Sequence, residues 1–162
     1  MGACDYYDVE FGKTAEDAYR AAKDEALYMH GHDVYSGTIG QSSGFVLVEL
    51  PKGWSSQDVQ DLAWYLRDYI GWGEQVEALP VRRKFSSEWE RRDYLARRKL
   101  VAKFLALSFA EQQKLKRINI DKGGPAYGME LPPKEQREMR ERNPQHKGKK
   151  GRYYGFFGLA PC

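Results

Sequence analysis

Residues 6–17 read YYDVEFGKTAED and place a strand directly before a helix. Over the first six of them, apolar side chains alternate with mostly acidic ones, which is the two-residue period of a half-buried strand. Gly12 interrupts this alternation, and Thr14 with Asp17 then has the spacing of a helical capping box. The stretch therefore predicts a strand followed by a helix, and Gly31 is the expected end of that helix.

Further elements are predicted as far as residue 85. Residues 35–39 predict a short strand, and the apolar run 45–50 predicts a strand at the centre of its sheet. Residues 59–70 have helical periodicity, and residues 74–85 predict a last strand. The order strand, helix, strand, strand, helix, strand predicts an α+β fold with a ferredoxin-like βαββαβ sheet over residues 1–85.

The composition changes after residue 85. Residues 86–120 are predicted to form basic amphipathic helices, with Ser87 and Ser108 as N-caps. Residues 121–162 are predicted to form an extended, partly disordered tail that is rich in basic and aromatic side chains. A short charged helix is expected to begin within this tail at Pro132 and Pro133. The prediction is thus an acidic α+β domain with a basic helical C-terminal extension.

The charge distribution is the most informative feature of the composition. The net charge is +3, but residues 1–80 carry 5 Lys and Arg against 14 Asp and Glu, a net of −9. Residues 81–162 carry 21 Lys and Arg against 9 Asp and Glu, a net of +12. Such asymmetry suggests a basic arm on an acidic body, and it points to nucleic acid or an acidic protein surface as the partner.

Several protein classes are excluded or disfavoured. No apolar run has the roughly 18 residues that a membrane span needs, and residues 1–10 lack the layout of a signal peptide. We therefore expect a cytoplasmic protein without membrane contact. The two cysteines, Cys4 and Cys162, lie outside any C-x-x-C pair and are expected to be free thiols. No phosphate loop, nucleophile elbow or metalloprotease motif is present, and we predict no cofactor.

Basic side chains interleaved with aromatic ones are the first candidate site. Lys and Arg neutralise phosphates, and exposed aromatic rings stack on unpaired bases. A solvated helix face with a disordered tail is the structural alternative. The predicted nucleic-acid contacts are Arg82, Arg83, Lys84, Arg91, Arg98, Lys99, Lys147, Lys149, Lys150, Arg152, Tyr153 and Tyr154.

A loop between a helix and a strand is the second candidate. It gathers imidazole, carboxylate, phenol and hydroxyl groups within a few residues, which suits ligand or partner contact. The H-x-H pair supplies only two ligands, so no metal site and no catalytic residue is assigned. The structural alternative is that His30 caps its helix. The predicted contact residues are His30, His32, Asp33, Tyr35 and Thr38.

This loop also carries a family resemblance. His30-Gly31-His32, then Y-x-G-T-I from Tyr35, then G-F-V from Gly44, resembles a segment of small uncharacterised proteins of bacteria and their phages. The resemblance covers about a tenth of the chain and implies a phage or mobile-element accessory protein, such as a host-takeover or anti-defence factor. It implies no particular activity.

Three functions follow, in order of preference. The first is a non-enzymatic binding protein whose basic extension contacts nucleic acid or a ribonucleoprotein. The second is a phage or mobile-element protein that binds and regulates or inhibits a host protein. The third is a small enzyme that uses the loop from His30 to Tyr35.

Overall fold

The structure is a computed structural model, and it describes residues 2–32, 35–70, 76–80 and 84–162. The chain divides into two compact units, which we describe separately. Unit 1 comprises Met1–Ser56 and Ile120–Cys162, and unit 2 comprises Gln57–Asn119. Unit 2 is thus a continuous stretch of sequence between the two segments of unit 1.

Four strands and five α-helices form the regular structure of the described residues. In chain order they are β1 (Ala3–Gly12), α1 (Ala15–His30), β2 (Phe45–Leu47), α2 (Ser56–Tyr65), α3 (Glu88–Leu105), α4 (Phe109–Lys116), β3 (Ala126–Glu130), α5 (Pro133–Arg142) and β4 (Arg152–Pro161). Single 3-10 turns lie at Ile39–Gln41 and Pro144–His146, and a π-helical turn at Leu66–Ile70 follows α2.

Unit 1 contains a mixed four-stranded sheet in the order β1-β4-β3-β2. β4 lies antiparallel to both β1 and β3, whereas β2 lies parallel to β3. The first and last strands pair along their whole length, from Ala3 opposite Pro161 to Gly12 opposite Arg152. The connection from β2 to β3 includes the whole of unit 2. Parallel strands require a long crossover connection, and this one is long enough.

The strand and helix predicted at the N-terminus are confirmed. The Thr14 hydroxyl accepts a hydrogen bond from the Asp17 N–H at 3.1 Å, and the Asp17 carboxylate accepts one from the Thr14 N–H at 3.2 Å. α1 ends at Gly31, whose φ of 69° lies in the left-handed region that glycine adopts without strain.

The core of unit 1 lies between α1 and one face of the sheet. The small side chains of Ala18 and Ala22 let α1 approach closely, and the Tyr19 ring packs 4.9 Å from Phe45 and 5.7 Å from Phe156, centroid to centroid. The buried members of this cluster are Ala18, Tyr19, Ala22, Ile39, Ala126, Tyr154 and Phe156.

β4 is one of the two central strands of the sheet, and residues 153–160 are all buried. Glycines in β4 leave room for the tyrosine rings of β1. A Cβ at Gly155 would lie 2.6 Å from the Tyr7 hydroxyl, and one at Gly158 would collide with the Tyr6 hydroxyl. The glycine-aromatic pattern, which we interpreted as a loose tail, is therefore a strand shaped to fit its neighbour.

The α+β class is confirmed, but the ferredoxin-like βαββαβ sheet and the basic helical C-terminal extension are wrong. Two of the four strands, β3 and β4, come from residues 121–162, and β4 pairs with the N-terminal strand. The physical reason is that β4 is apolar on both faces, which is typical of a strand buried on both sides.

Individual strand predictions also need correction. The run 45–50 forms only the three residues of β2, at an edge of the sheet, where Val46 is 47% and Leu47 is 54% exposed. Residues 35–39 form a bend that leads into a 3-10 turn, because Gly37 adopts a φ of 69° there. Within 74–85, residues 76–80, 84 and 85 have no strand structure, and the others lie outside the described residues.

The two cysteines form a disulfide, so the prediction of free thiols is wrong. Antiparallel pairing of β1 with β4 brings Cys4 and Cys162 together, with their Cα atoms 5.8 Å apart. The sequence separation is 158 residues, so the bond joins the two ends of the chain. Gly37 packs against this bond, since a Cβ there would lie 3.2 Å from the Cys4 Cβ.

Unit 2 is helical and contains α3, α4 and all but the first residue of α2. The predicted N-caps are confirmed, since Ser87 accepts from the Glu90 N–H and Ser108 forms a capping box with Glu111. Its buried side chains include Val59, Leu62, Ala63, Leu100, Val101, Phe104 and Leu115. No helix in the described part of the chain is long and apolar enough to cross a membrane.

Candidate nucleic-acid interface

Residues 143–151 form a turn that connects α5 to β4 and carries three of the predicted lysines, Lys147, Lys149 and Lys150. Arg140 closes it from inside, because its guanidinium donates to the His146 carbonyl at 3.0 Å and to the Gly151 carbonyl at 2.6 Å. Gly148 has a φ of 77°, and Gly151 faces Phe11 so closely that a Cβ would lie 2.6 Å from the ring. The turn is thus a fixed structure and not a loose tail.

An aromatic group supports the turn from below. The His146 ring stacks on Phe11 with centroids 4.4 Å apart, and its Nδ1 lies 2.9 Å from the Tyr153 hydroxyl. Phe11 and Tyr153 are directly opposite each other in the β1–β4 register and make an edge contact at 5.2 Å. These contacts fix the side chains beneath the lysines to the end of the sheet.

Folding adds a fourth lysine to this turn. Lys13, which follows β1, lines a cleft of about 570 Å³ together with Lys149 and Lys150, and Lys147 lies in the same turn. All four are exposed, and none forms an ion pair with a described carboxylate. Asp17 also lines the cleft, but it is used in the cap of α1. We call Lys13, Lys147, Lys149 and Lys150 the lysine surface.

The other predicted basic residues differ in their surroundings. Arg152 pairs with Glu130, and Arg91 pairs with Glu88 at 3.3 Å. Arg98 is half-buried and Lys99 is exposed on α3. Lys84 is exposed, whereas Arg82 and Arg83 lie outside the described residues. Pairing with a neighbouring carboxylate cancels much of a side chain's long-range field, so Arg152 and Arg91 contribute less than the unpaired lysines.

The predicted stacking tyrosines lie inside the sheet. Tyr153 is 2% and Tyr154 is 7% exposed, and burial raises the pKa of both phenols. Tyr154 belongs to the core beneath α1, and Tyr153 holds His146. Neither ring presents a free face to a base.

Two of the predicted contact residues, His30 and Thr38, border a different surface. His30 and Thr38 line a cavity of about 290 Å³ between α1 and β1, together with the carboxylates of Asp8, Glu10 and Glu25. We call this cavity the acidic groove. His32 and Tyr35 are exposed nearby in sequence but do not line it, and Asp33 lies outside the described residues.

The carboxylates of the acidic groove perturb one another. Burial, followed by the hydrogen-bonded carboxyl of Glu25, raises the pKa of Glu10 to about 7. Burial and the charge of Glu25 also raise the pKa of Asp8, and His30 opposes that rise. No group of three or more His, Cys, Asp or Glu within the described residues is placed to hold a metal ion.

Unit 2 has a groove of its own, of about 620 Å³, between α2 and α3. Its charges are largely paired, since Lys103 contacts Asp58 at 2.6 Å and Arg97 contacts Asp93. Arg97 also lies 4.5 Å from the centroid of the Tyr69 ring. Of the two ion pairs, only Lys103–Asp58 joins α2 to α3, and together they leave little net charge for a ligand.

Several residues of both surfaces were missed in the sequence. Lys13 is far from the lysine turn along the chain, Arg140 lies shortly before the turn on α5, and Asp8 and Glu10 have the pattern of the polar face of a strand. The one local signal was the pair of glycines around Lys149 and Lys150, which is typical of a tight turn. No protein-family model matches the chain, and comparisons with curated proteins and with solved structures found no match either.

Proposed function

We propose that the protein binds nucleic acid through the phosphate backbone, and that the lysine surface makes the contact. The observation that supports this most is that Lys13, Lys149 and Lys150 come from two distant parts of the chain to line one cleft, with Lys147 in the same turn. All four are exposed, and none is paired with a described carboxylate. An unpaired ammonium group keeps its full attraction for phosphate. The Arg140 bonds to the two ends of the turn hold three of these lysines in one place.

The same surroundings favour binding without sequence preference. Lysine acts as a flexible point charge and lacks the bidentate geometry by which arginine reads guanine. The aromatic rings beneath the turn, Phe11 and His146, stack on each other, and Tyr153 is buried. We therefore expect the contacts to involve phosphates, with little contribution from base stacking or base edges.

Salt dependence tests this function directly. Fluorescence anisotropy with a labelled duplex at several salt concentrations should give a straight log–log plot. If each of the four lysines neutralises one phosphate, the slope is about −3.6, because each contact contributes about −0.9. A slope near zero, or no binding at low salt, would reject the proposal.

An acidic protein surface is the other partner predicted from the sequence. It would use the same lysines, so competition separates the two. Duplex DNA and polyglutamate are added at equal charge concentration to a complex with labelled duplex. Stronger displacement by duplex supports a nucleic-acid function, and stronger displacement by polyglutamate supports the acidic protein.

A further inference from the structure

β1 forms one edge of the sheet, and β4 is its only strand neighbour among the residues that the structure describes. It runs for 10 residues, Ala3–Gly12, so it presents a long row of backbone groups on its outer side. Near its end the Phe11 N–H donates to Glu10 Oε2 at 3.3 Å. The Glu10 carboxylate thus accepts from a backbone N–H to which an added strand could also hydrogen-bond.

The acidic groove lies beside this edge. Its apolar lining comes from Val9 on β1 and from Ala22 and Ala26 on α1, whereas its charged lining comes from both elements. Met29 of α1 also lines the groove and is 66% exposed, and Tyr28, which does not line it, is 87% exposed. The region therefore combines a strand edge, an open cavity and exposed apolar area, which are the components of a site for an extended peptide.

The charge in the groove selects the kind of peptide. Asp8, Glu10 and Glu25 line the cavity, and neither Lys nor Arg does. The remaining titratable groups of the lining are Tyr7 and His30. The Glu10 and Glu25 carboxyls are close enough to share a hydrogen bond, and a cation between them would relieve their repulsion.

We propose that the acidic groove binds an extended basic segment of another protein, which adds to β1 as a fifth strand and places a Lys or Arg side chain among Asp8, Glu10 and Glu25. Alternate side chains of an added strand point to the same face of the sheet. Every second residue of the segment would therefore reach the α1 side, where the groove lies.

The observed charges disfavour the other occupants. Pairing β1 with β1 of a second copy would bring Asp5, Asp8 and Glu10 of both chains to the same edge, and like charges on paired strands are destabilising. Nucleic acid would be repelled by the same carboxylates. A basic partner segment is the occupant that complements the groove.

A selection from a random peptide library tests the proposal without knowledge of the partner. The immobilised full-length protein is the bait, and the Glu10→Gln/Glu25→Gln variant is the counter-bait. Peptides that prefer the unmodified protein should carry Lys or Arg at alternate positions between β-branched residues. Enrichment of acidic or proline-rich peptides, or no enrichment over the counter-bait, would overturn the proposal.

The best selected peptide then gives two independent measurements. Glu10→Gln/Glu25→Gln should weaken its binding about tenfold, whereas Asp24→Asn, an exposed acid on α1 outside the groove lining, should not. N-methylation of alternate backbone nitrogens should also weaken binding to the unmodified protein about tenfold, because it blocks strand pairing. Unchanged affinity of the methylated peptide, or a β1-dependent dimer in sedimentation that the peptide cannot dissociate, would contradict strand addition.

Discussion

The lysine surface and the acidic groove are both built on β1 and its neighbours, yet they present charge in opposite ways. Lys13 and Lys149 are exposed and have no described carboxylate partner, so their field extends into solvent. Asp8 and Glu10 are half-buried, and burial raises the pKa of both. The first arrangement suits a long polyanion, and the second suits a single cation held at short range.

This contrast changes the meaning of the charge asymmetry in the sequence. Residues 1–80 are acidic and residues 81–162 are basic, which suggested an acidic body with a separate basic arm. In the fold, β1 and β4 pair, so acidic and basic residues from the two ends of the chain meet in the same unit. Both surfaces therefore depend on the pairing of the two terminal strands.

The largest expected effect comes from removing the disulfide that joins the two terminal strands. Replacing Cys4 and Cys162 together by Ser removes a cross-link that spans 158 residues. By the loop-closure model, such a bond stabilises the folded state by about 3–5 kcal/mol. Denaturant unfolding should show a loss of that order, together with weaker binding at both surfaces.

Reduction supplies the control for this prediction. With reductant, the unmodified protein should unfold at the same denaturant concentration as the double variant. Reductant should not change the unfolding midpoint of the double variant. Identical midpoints with and without reductant would show that the bond is absent or contributes nothing. Disulfides persist mainly in oxidising compartments. The cytoplasmic location therefore stays a prediction, and measuring the redox state of Cys4 in cells would test it.

Local patterns in the sequence predicted the first strand and several helix starts, but they wrongly predicted strands at 35–39 and at 76–80. Alternation identified β1, and the capping boxes at Thr14 and Ser108 identified the starts of two helices. Strand order was not predictable from such patterns, because the runs 45–50 and 153–160 are both apolar and only pairing decides which is central. One of the two partners of β4, β1, lies at the other end of the chain, where no local pattern identifies it as a partner.

The second prediction removes charge from the lysine surface alone. Lys149→Gln with Lys150→Gln should lower duplex affinity at least tenfold at low salt and reduce the magnitude of the log–log slope by about 1.8, the value for two phosphate contacts. Lys134→Gln is the control for the loss of one positive charge, because Lys134 is exposed in the same unit but pairs with Glu138 at 3.9 Å. A change in the logarithm of the affinity and in the slope half as large as in the double variant would mean that net charge, and not this surface, decides binding.

The third prediction separates charge from position. Arg140→Lys keeps the positive charge but cannot donate to the His146 and Gly151 carbonyls together. We expect a loss of stability of about 1 kcal/mol and a several-fold weaker duplex affinity with the salt slope unchanged. Arg142→Lys, on the exposed face of the same helix, should change neither quantity. Unchanged stability together with unchanged duplex affinity would show that these two hydrogen bonds do not position the lysines.

The candidate site shows the same limit of sequence reasoning as the fold. The lysines of the turn were identified from composition, but Lys13 joins them only because β1 ends beside the start of β4. The aromatic residues beside the lysines were interpreted as stacking platforms, since exposure cannot be judged before the strand is placed. Tyr153 and Tyr154 are core side chains in the fold.

The fourth prediction concerns the acidic groove and pH. The pKa of Glu10 rises from 4.5 to about 7 in the folded state, so the folded protein binds this proton more tightly than the unfolded chain. Its contribution to stability is complete below pH 4.5 and is lost as the pH rises to about 7. Glu10→Gln should remove this loss, which we place at about 1 kcal/mol because solvent screens the half-buried carboxyl. Melting curves across this range check it, with Asp24→Asn as a control that should follow the unmodified protein; parallel curves for Glu10→Gln would contradict the prediction.

The smallest expected effect distinguishes the two histidines of the same loop. His30 lines the acidic groove and lowers the pKa of Asp8 by its charge, although burial keeps that pKa above its ordinary value. His30→Ala should therefore raise the pKa of Asp8 further, whereas His32→Ala should leave it unchanged because His32 does not line the groove. Carbon-detected NMR titration of the Asp8 carboxyl measures this pKa directly. The free energy of unfolding, obtained from thermal melts, should change by less than about 0.5 kcal/mol in both variants. A shift of Asp8 in the His32 variant, or none in the His30 variant, would place the groove elsewhere along the loop and remove His30 from the peptide site.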